Sequence, residues 1–161
     1  MGMNLWVPDN DGAYKERIKS IKFLDGGWLE SYVFMILNDD LKDIPIEPNW
    51  RLKKRNNGMD FELDLILLNG YQIYGISCTT DSSEGLCKSK GFEILHRVNQ
   101  IGGEEAKAIL ITCLSHKENK VESLQKDLKL ETGSNEKLKV LGIEDLTENK
   151  LLEKIKEYIG I

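Results

Sequence analysis

The sequence predicts a single α/β domain in which a mixed central sheet is flanked by helices. Three observations lead there. Two extended apolar runs, 61–68 and 71–79, meet at Asn69-Gly70, a strong two-residue hairpin signature. Residues 106–113 are almost unbroken in apolar character, the pattern of a strand covered on both faces. Apolar residues at helical spacing come before the hairpin and again on either side of that strand. The 161 residues are the length of one ordinary domain, so one core suffices.

In chain order, residues 1–22 hold Pro8 and the turn-prone Asp9-Asn10-Asp11-Gly12, and are expected to form an arm with a short helix near 14–21. The domain proper spans 23–161. Asp25-Gly26-Gly27 opens a helix to about Leu37, with Trp28, Leu29, Tyr32, Val33, Ile36 and Leu37 on one buried stripe and Glu30 at its edge. Asn38-Asp39-Asp40, with Pro45 and Pro48 beyond, ends it in an irregular link. Residues 50–55 read as an extended strand, turned at Asn56-Asn57-Gly58 into the hairpin. Ser82 or Ser83 caps the next helix, which carries Ile94, Leu95, Val98 and Ile101 on one face and stops at Gly102-Gly103. The strand at 106–113 is followed by a helix around Val121, Leu124 and Leu128, a short strand at 138–141, and a helix at 146–158.

Composition excludes several classes. With 22 basic against 27 acidic side chains the net charge is −5, so nucleic acid could be held only by a local basic patch, not by overall charge. No apolar run approaches a membrane span, so no membrane partner is expected. The chain opens on no basic-then-apolar leader, which favours the cytoplasm. Cys78, Cys87 and Cys113 form no Cys-x-x-Cys pair, which argues against a disulfide framework or a structural zinc site. His96 and His116 make no metal-binding helix pair, and Gly26-Gly27 and Gly102-Gly103 fit neither nucleotide-binding glycine pattern.

A two-residue loop at Asn69-Gly70 would set Leu68 opposite Tyr71, Asp64 opposite Gly75 and Glu62 opposite Ser77. Alternation then gathers Glu62, Asp64, Ser77 and Thr79 on one face at the hairpin's open end, directly opposed residues lying about 5 Å apart. Gly75 would leave space above Asp64. Strand ends emerge into water, so solvated acids are the simplest account of the hairpin taken alone.

Several segments together point further. Phe23-Leu24-Asp25-Gly26-Gly27-Trp28-Leu29-Glu30, Glu62-Leu63-Asp64-Leu65, Gly75-Ile76-Ser77-Cys78-Thr79-Thr80 and His96-Arg97-Val98-Asn99-Gln100-Ile101-Gly102-Gly103 resemble the nuclease domain of CRISPR-ancillary nucleases activated by cyclic oligoadenylate. These form a branch of the PD-(D/E)XK restriction-endonuclease-like superfamily. The resemblance implies a restriction-endonuclease-like α/β fold and a phosphodiesterase dependent on magnesium or manganese. In that family a helix glutamate, a first-strand aspartate and a Glu-Cys-Lys triplet make the site. Carried over, Glu30 matches the helix acid, Asp64 the aspartate, and Cys78 the middle of the triplet, whose carbonyl can help hold the ion. The metal ligands it implies here are Asp64, Cys78 and, as a substitute, Glu62.

Ser77 and Thr79 stand where the triplet has glutamate and lysine. A hydroxyl is a weak magnesium ligand and threonine supplies no cation, so the expected site is degenerate. Glu62, Glu93, Lys88 or Lys90 are the residues placed to compensate. Arg51, Lys53 and Arg55, on one side of a basic strand, could track a phosphate backbone of DNA or RNA, although a charged edge strand is the simpler account. Trp50 could stack on a base, but packing is expected of Trp6, Trp28 and Trp50, and helix-surface roles of His96 and Arg97. Cys78 and Cys113 are expected to be buried, inert thiols.

Two functional classes stay open: a metal-dependent nuclease with migrated residues, and a non-catalytic module binding nucleic acid or protein through the same surface. A homodimer with an apolar interface around the hairpin or tail helices is a third. The family's sensing domain precedes the nuclease domain, and residues 1–22 are too short to be one, so cyclic-oligonucleotide control would require a protein partner carrying that sensor.

Overall fold

The structure, a computed structural model, describes residues 20–21, 23–53, 60–133 and 136–161. A π-helical turn, Phe23–Gly27, leads into α1, Trp28–Asp40. Strands β1 (Ile46–Leu52), β2 (Phe61–Asn69) and β3 (Gln72–Thr79) follow. Then come α2 (Glu84–Gly102), β4 (Lys107–Thr112), α3 (Lys120–Thr132), β5 (Leu138–Leu141) and α4 (Glu148–Ile159). This is the element order the sequence predicts.

The sheet runs β1-β2-β3-β4-β5, antiparallel through β3 and parallel from β3 to β5. The two parallel steps advance in one direction, so crossovers of uniform hand put both connecting helices, α2 and α3, on one face. Their Ile94, Leu95, Val98, Val121, Leu124 and Leu128 pack there against Leu63, Ala108, Leu110 and Val140. On the other face, α1 (Leu29, Val33, Ile36, Leu37) and α4 (Leu151, Ile155, Ile159) cover Leu65, Leu67, Ile76, Ile109 and Ile111. Each such buried side chain contributes about 1.5–3 kcal/mol. Burial of 108–112 throughout is what two covered faces demand. Among the described residues no helix is long and apolar enough to cross a membrane.

The hairpin departs from its expected register. Asn69 pairs with Gln72 and Leu68 with Ile73, so the two turn residues are Gly70 and Tyr71. Gly70 takes the positive φ of 60° that the first turn position requires, leaving Tyr71 in ordinary backbone. The slip is two residues, which by itself keeps side chains on their faces but changes partners: Ile66, not Asp64, lies across from Gly75. Nor is there space above Gly75. A Cβ there would stand 2.3 Å from Val98 Cγ1 and 3.3 Å from Ile94 Cδ1, because α2 rides directly on the sheet. Gly75→Ala is therefore expected to cost about 1–3 kcal/mol by overpacking, measured by thermal or urea unfolding.

Strand β1 begins at Ile46, inside the segment expected to be irregular, and ends at Leu52. Trp28 is exposed rather than buried, and Tyr32 is only partly covered. The expected helix near 14–21, apart from 20–21, and the turn at Asn56-Asn57-Gly58 lie outside the described residues.

Candidate active site at the splayed hairpin

Strand β2 turns over at Asp64. Leu65 and Leu67 belong to the core under α1 and α4, yet Leu63 and Phe61 belong to the core under α2 and α3. On β1, Asn49 lies between the pairs Pro48↔Leu65 and Trp50↔Leu63 and takes φ 51°, a left-handed kink that asparagine tolerates. On the β3 side the pairing stops at Leu65↔Ile76. The Asp64 carboxylate fills the opening: its Oδ2 accepts the Cys78 backbone N–H at 2.7 Å and the Ser77 hydroxyl at 3.1 Å. A side chain thus replaces a ladder hydrogen bond, which anchors Asp64 firmly.

The site is electrostatically tense. Burial raises the pKa of Asp64, with Glu62 adding to the rise, against the opposing pull of the Cys78 and Ser77 hydrogen bonds and of Lys90. Burial likewise raises Glu30, followed by repulsion from Asp64 and Glu62, while Lys90 opposes. Glu30 on α1 therefore feels the charge of Asp64 on β2, and Lys90 on α2 acts on both. The Cys78 thiol is buried among them and pushed well up by burial and by both acids, so it is no nucleophile. A folded-state rise means Asp64 costs stability when ionised and stops doing so as pH falls through its folded value. Asp64→Asn keeps an acceptor for Cys78 and removes the charge. Its melting temperature is expected to exceed that of the unaltered chain at neutral pH, the difference closing on acidification.

The other expected members are placed less centrally. Glu62 is exposed and held by Arg51 Nε at 2.8 Å, within electrostatic reach of the acids. The Thr79 hydroxyl accepts from Asp81 N–H at 3.2 Å, in the loop beyond the strand. Glu93 lies 3.5 Å from Lys90 and 3.9 Å from Arg97, and Lys88 is drawn to Glu131 at 2.6 Å. Arg51 is thus ion-paired and Lys53 exposed, while Lys54 and Arg55 lie outside the described residues. Trp50 packs against the α2 side. Arg97 stacks 4.6 Å over the Phe61 ring instead of lying on the helix surface, and His96 pairs with Gln100 on that surface. Lys90 is the site residue that periodicity undervalues, since how α2 rolls on the sheet sets its direction.

These donors do not fit a catalytic metal centre. Asp64 already has one oxygen engaged twice, and Ser77 and Thr79 bring only neutral hydroxyls. Among the described residues no three histidine, cysteine or acidic side chains cluster as metal ligands would.

A second polar network lies past the ends of β4 and β5, in a region where no site residue is expected from the sequence. Buried Asp145 meets His116 Nε2 and Lys154 Nζ, each at 2.6 Å, and accepts Gly142 N–H at 3.0 Å. His116 Nδ1 meets Glu122 at 2.6 Å.

No family model matches the chain, and no curated protein matches it in sequence. Solved structures do match in fold. Can2 from Sulfobacillus thermosulfidooxidans, solved in complex with cyclic tetra-adenylate, superposes with a TM-score of 0.65 at 19% identity, over 86% of this chain and 37% of that one. Protein VC1899 from Vibrio cholerae gives 0.63 at 21%, over 86% and 36%. The chain therefore spans little more than a third of either. The likeness is one of fold: an α/β domain with a mixed five-stranded sheet between helices, in a restriction-endonuclease-like arrangement.

Proposed function

We propose that the chain is a nuclease-like domain of prokaryotic defence, built on the PD-(D/E)XK plan, whose catalytic triplet is degenerate. The observation that carries this reading is the use made of the two hydroxyls. Ser77 donates to Asp64 and Thr79 serves the following loop, so neither brings charge to the place where a scissile phosphate would need it. Losing one electrostatic stabiliser costs about 10²–10³ in rate, and here a carboxylate and an ammonium are missing together. The test is incubation of the chain and its Asp64→Ala variant with single- and double-stranded DNA and RNA in magnesium or manganese. Equal, background-level cleavage is expected. Cleavage that Asp64→Ala abolishes would overturn the reading.

A second reading is favoured by Lys90. Its charge opposes the upward shift of both Glu30 and Asp64, as an ammonium relocated from the Thr79 position would, and this reading makes the chain a magnesium- or manganese-dependent endonuclease. Under it, Lys90→Ala abolishes a metal-dependent activity; under the first, it changes nothing measurable in the same assay. If the domain is degenerate, its remaining role is to bind nucleic acid or protein. A protein partner carrying a sensor is one route by which a ligand such as the cyclic tetra-adenylate of the Can2 structure would reach this domain. A homodimer could supply a second copy of the site.

A further inference from the structure

Far along the sheet from Asp64, a cleft of about 410 Å³ lies between α3, β5 and α4. Its walls carry Lys126 and Lys129 from α3, Lys139 from β5 and Lys154 from α4. Lys154 is committed to Asp145 at 2.6 Å, and the acid in the lining, Glu122, is committed to His116 at 2.6 Å. Among the described residues Lys126, Lys129 and Lys139 have no ion-pair partner. Three lysines without an ion-pair partner among the described residues therefore line one cleft in a protein whose net charge is −5.

The local geometry sets where each of them starts. Lys126 and Lys129 are one turn apart on α3, on the side that also presents Glu122 and Gln125. Leu138 and Val140 turn into the α2–α3 core, so alternation sends Lys139 the other way. An adjoining cleft of about 320 Å³ shares Lys129 and Lys139 and adds Lys107, but Glu136 and Glu157 also line it, so the unbalanced positive charge is confined to the first cleft. Strand addition is not what the edge offers, because Gln125 Oε1 already takes the Val140 N–H at 2.9 Å. The size is within the range of small-ligand clefts, about 300–1,000 Å³.

We propose that this cleft is a phosphate-binding site, held by Lys126, Lys129 and Lys139, for the phosphate groups of a nucleotide or of a single nucleic-acid strand. It is separate from the acidic pocket and stands whether or not that pocket is degenerate. The experiment measures binding of sodium pyrophosphate by calorimetry and of a fluorescent oligothymidylate by anisotropy, between 50 and 200 mM salt. It compares the unaltered chain with Lys126→Glu/Lys139→Glu, with the milder Lys126→Gln/Lys139→Gln, and with Lys150→Glu outside the cleft. At least tenfold weaker binding is expected in the Glu variant, less loss in the Gln variant, and none in Lys150→Glu. For the oligonucleotide, each lysine neutralised should flatten the log–log salt slope by about 0.7. Pyrophosphate binding identifies a small phosphate compound as the source, and binding of the oligonucleotide alone identifies the backbone. Failure of both probes to bind, or binding indifferent to the cleft variants, overturns the proposal.

Discussion

Replacing Ser77 with glutamate and Thr79 with lysine should give the chain a manganese-dependent cleavage at least ~10²-fold above that of the unaltered protein, lost again on adding Asp64→Ala or a chelator. The argument is electrostatic. Ser77 is 8% exposed and already bonded to Asp64, so a glutamate there sets a new charge against a buried one. Without metal the double variant should be less stable than its parent, because like charges in a desolvated pocket each oppose ionisation of the other. Manganese relieves that repulsion only in the folded state. At a hundred times its dissociation constant it adds about 2.7 kcal/mol, a rise of roughly 5–10 °C in melting temperature for a domain of this size. The unaltered chain, with a neutral hydroxyl at Ser77, should shift far less. A double variant that folds but gains neither the thermal shift nor cleavage would mean that the splayed hairpin is not a vestigial catalytic site.

The same pocket shows what the residues themselves could reveal. Alternation along 61–68 and 71–79 put Glu62, Asp64, Ser77 and Thr79 on one face. The two-residue slip at Gly70-Tyr71 alone would keep them there, but the turn-over at Asp64 puts Glu62 on the opposite face from Ser77, while Asp64 still reaches the Ser77 hydroxyl. The apolar run at 106–113 declared a doubly covered strand, as β4 is. Rotation of β2 at Asp64 was not legible: Phe61, Leu63, Leu65 and Leu67 alternate perfectly although they serve two different cores. Strand β1 was masked by Pro48, which speaks against a central strand but is tolerated at the sheet's edge, where β1 lies. Lys90 and Asp145 depend on how a helix rolls and on which loops the parallel strands bring together. Neither property is local to the residues that show it.

Asp145→Ala should be the most destabilising single change outside the apolar core, at about 3 kcal/mol, or roughly 6–12 °C in melting temperature. The carboxylate is 4% exposed and satisfies three donors on three segments. Its removal leaves the Gly142 N–H unpaired and takes from His116 and Lys154 the carboxylate they share. Because His116 and Lys154 are partly exposed and can rehydrate, the cost falls at the lower end for a broken buried pair. The loss should also depend on pH. Burial would raise Asp145, but Lys154, the Gly142 N–H and His116 outweigh it and hold the carboxyl low. Its contribution is therefore present above the ordinary carboxylate range and fades as pH falls through the depressed value. For His116, burial pulls down, yet hydrogen bonds to Asp145 and Glu122 prevail and raise it above its usual 6.5. That contribution is full below 6.5 and fades as pH climbs through the raised value. The difference between parent and variant should thus peak in mildly acidic solution and shrink on both sides. His116→Gln should remove the alkaline limb and spare the acidic one. A stability difference that stays constant across pH would show that Asp145 works only through Gly142 and Lys154, with the imidazole a bystander.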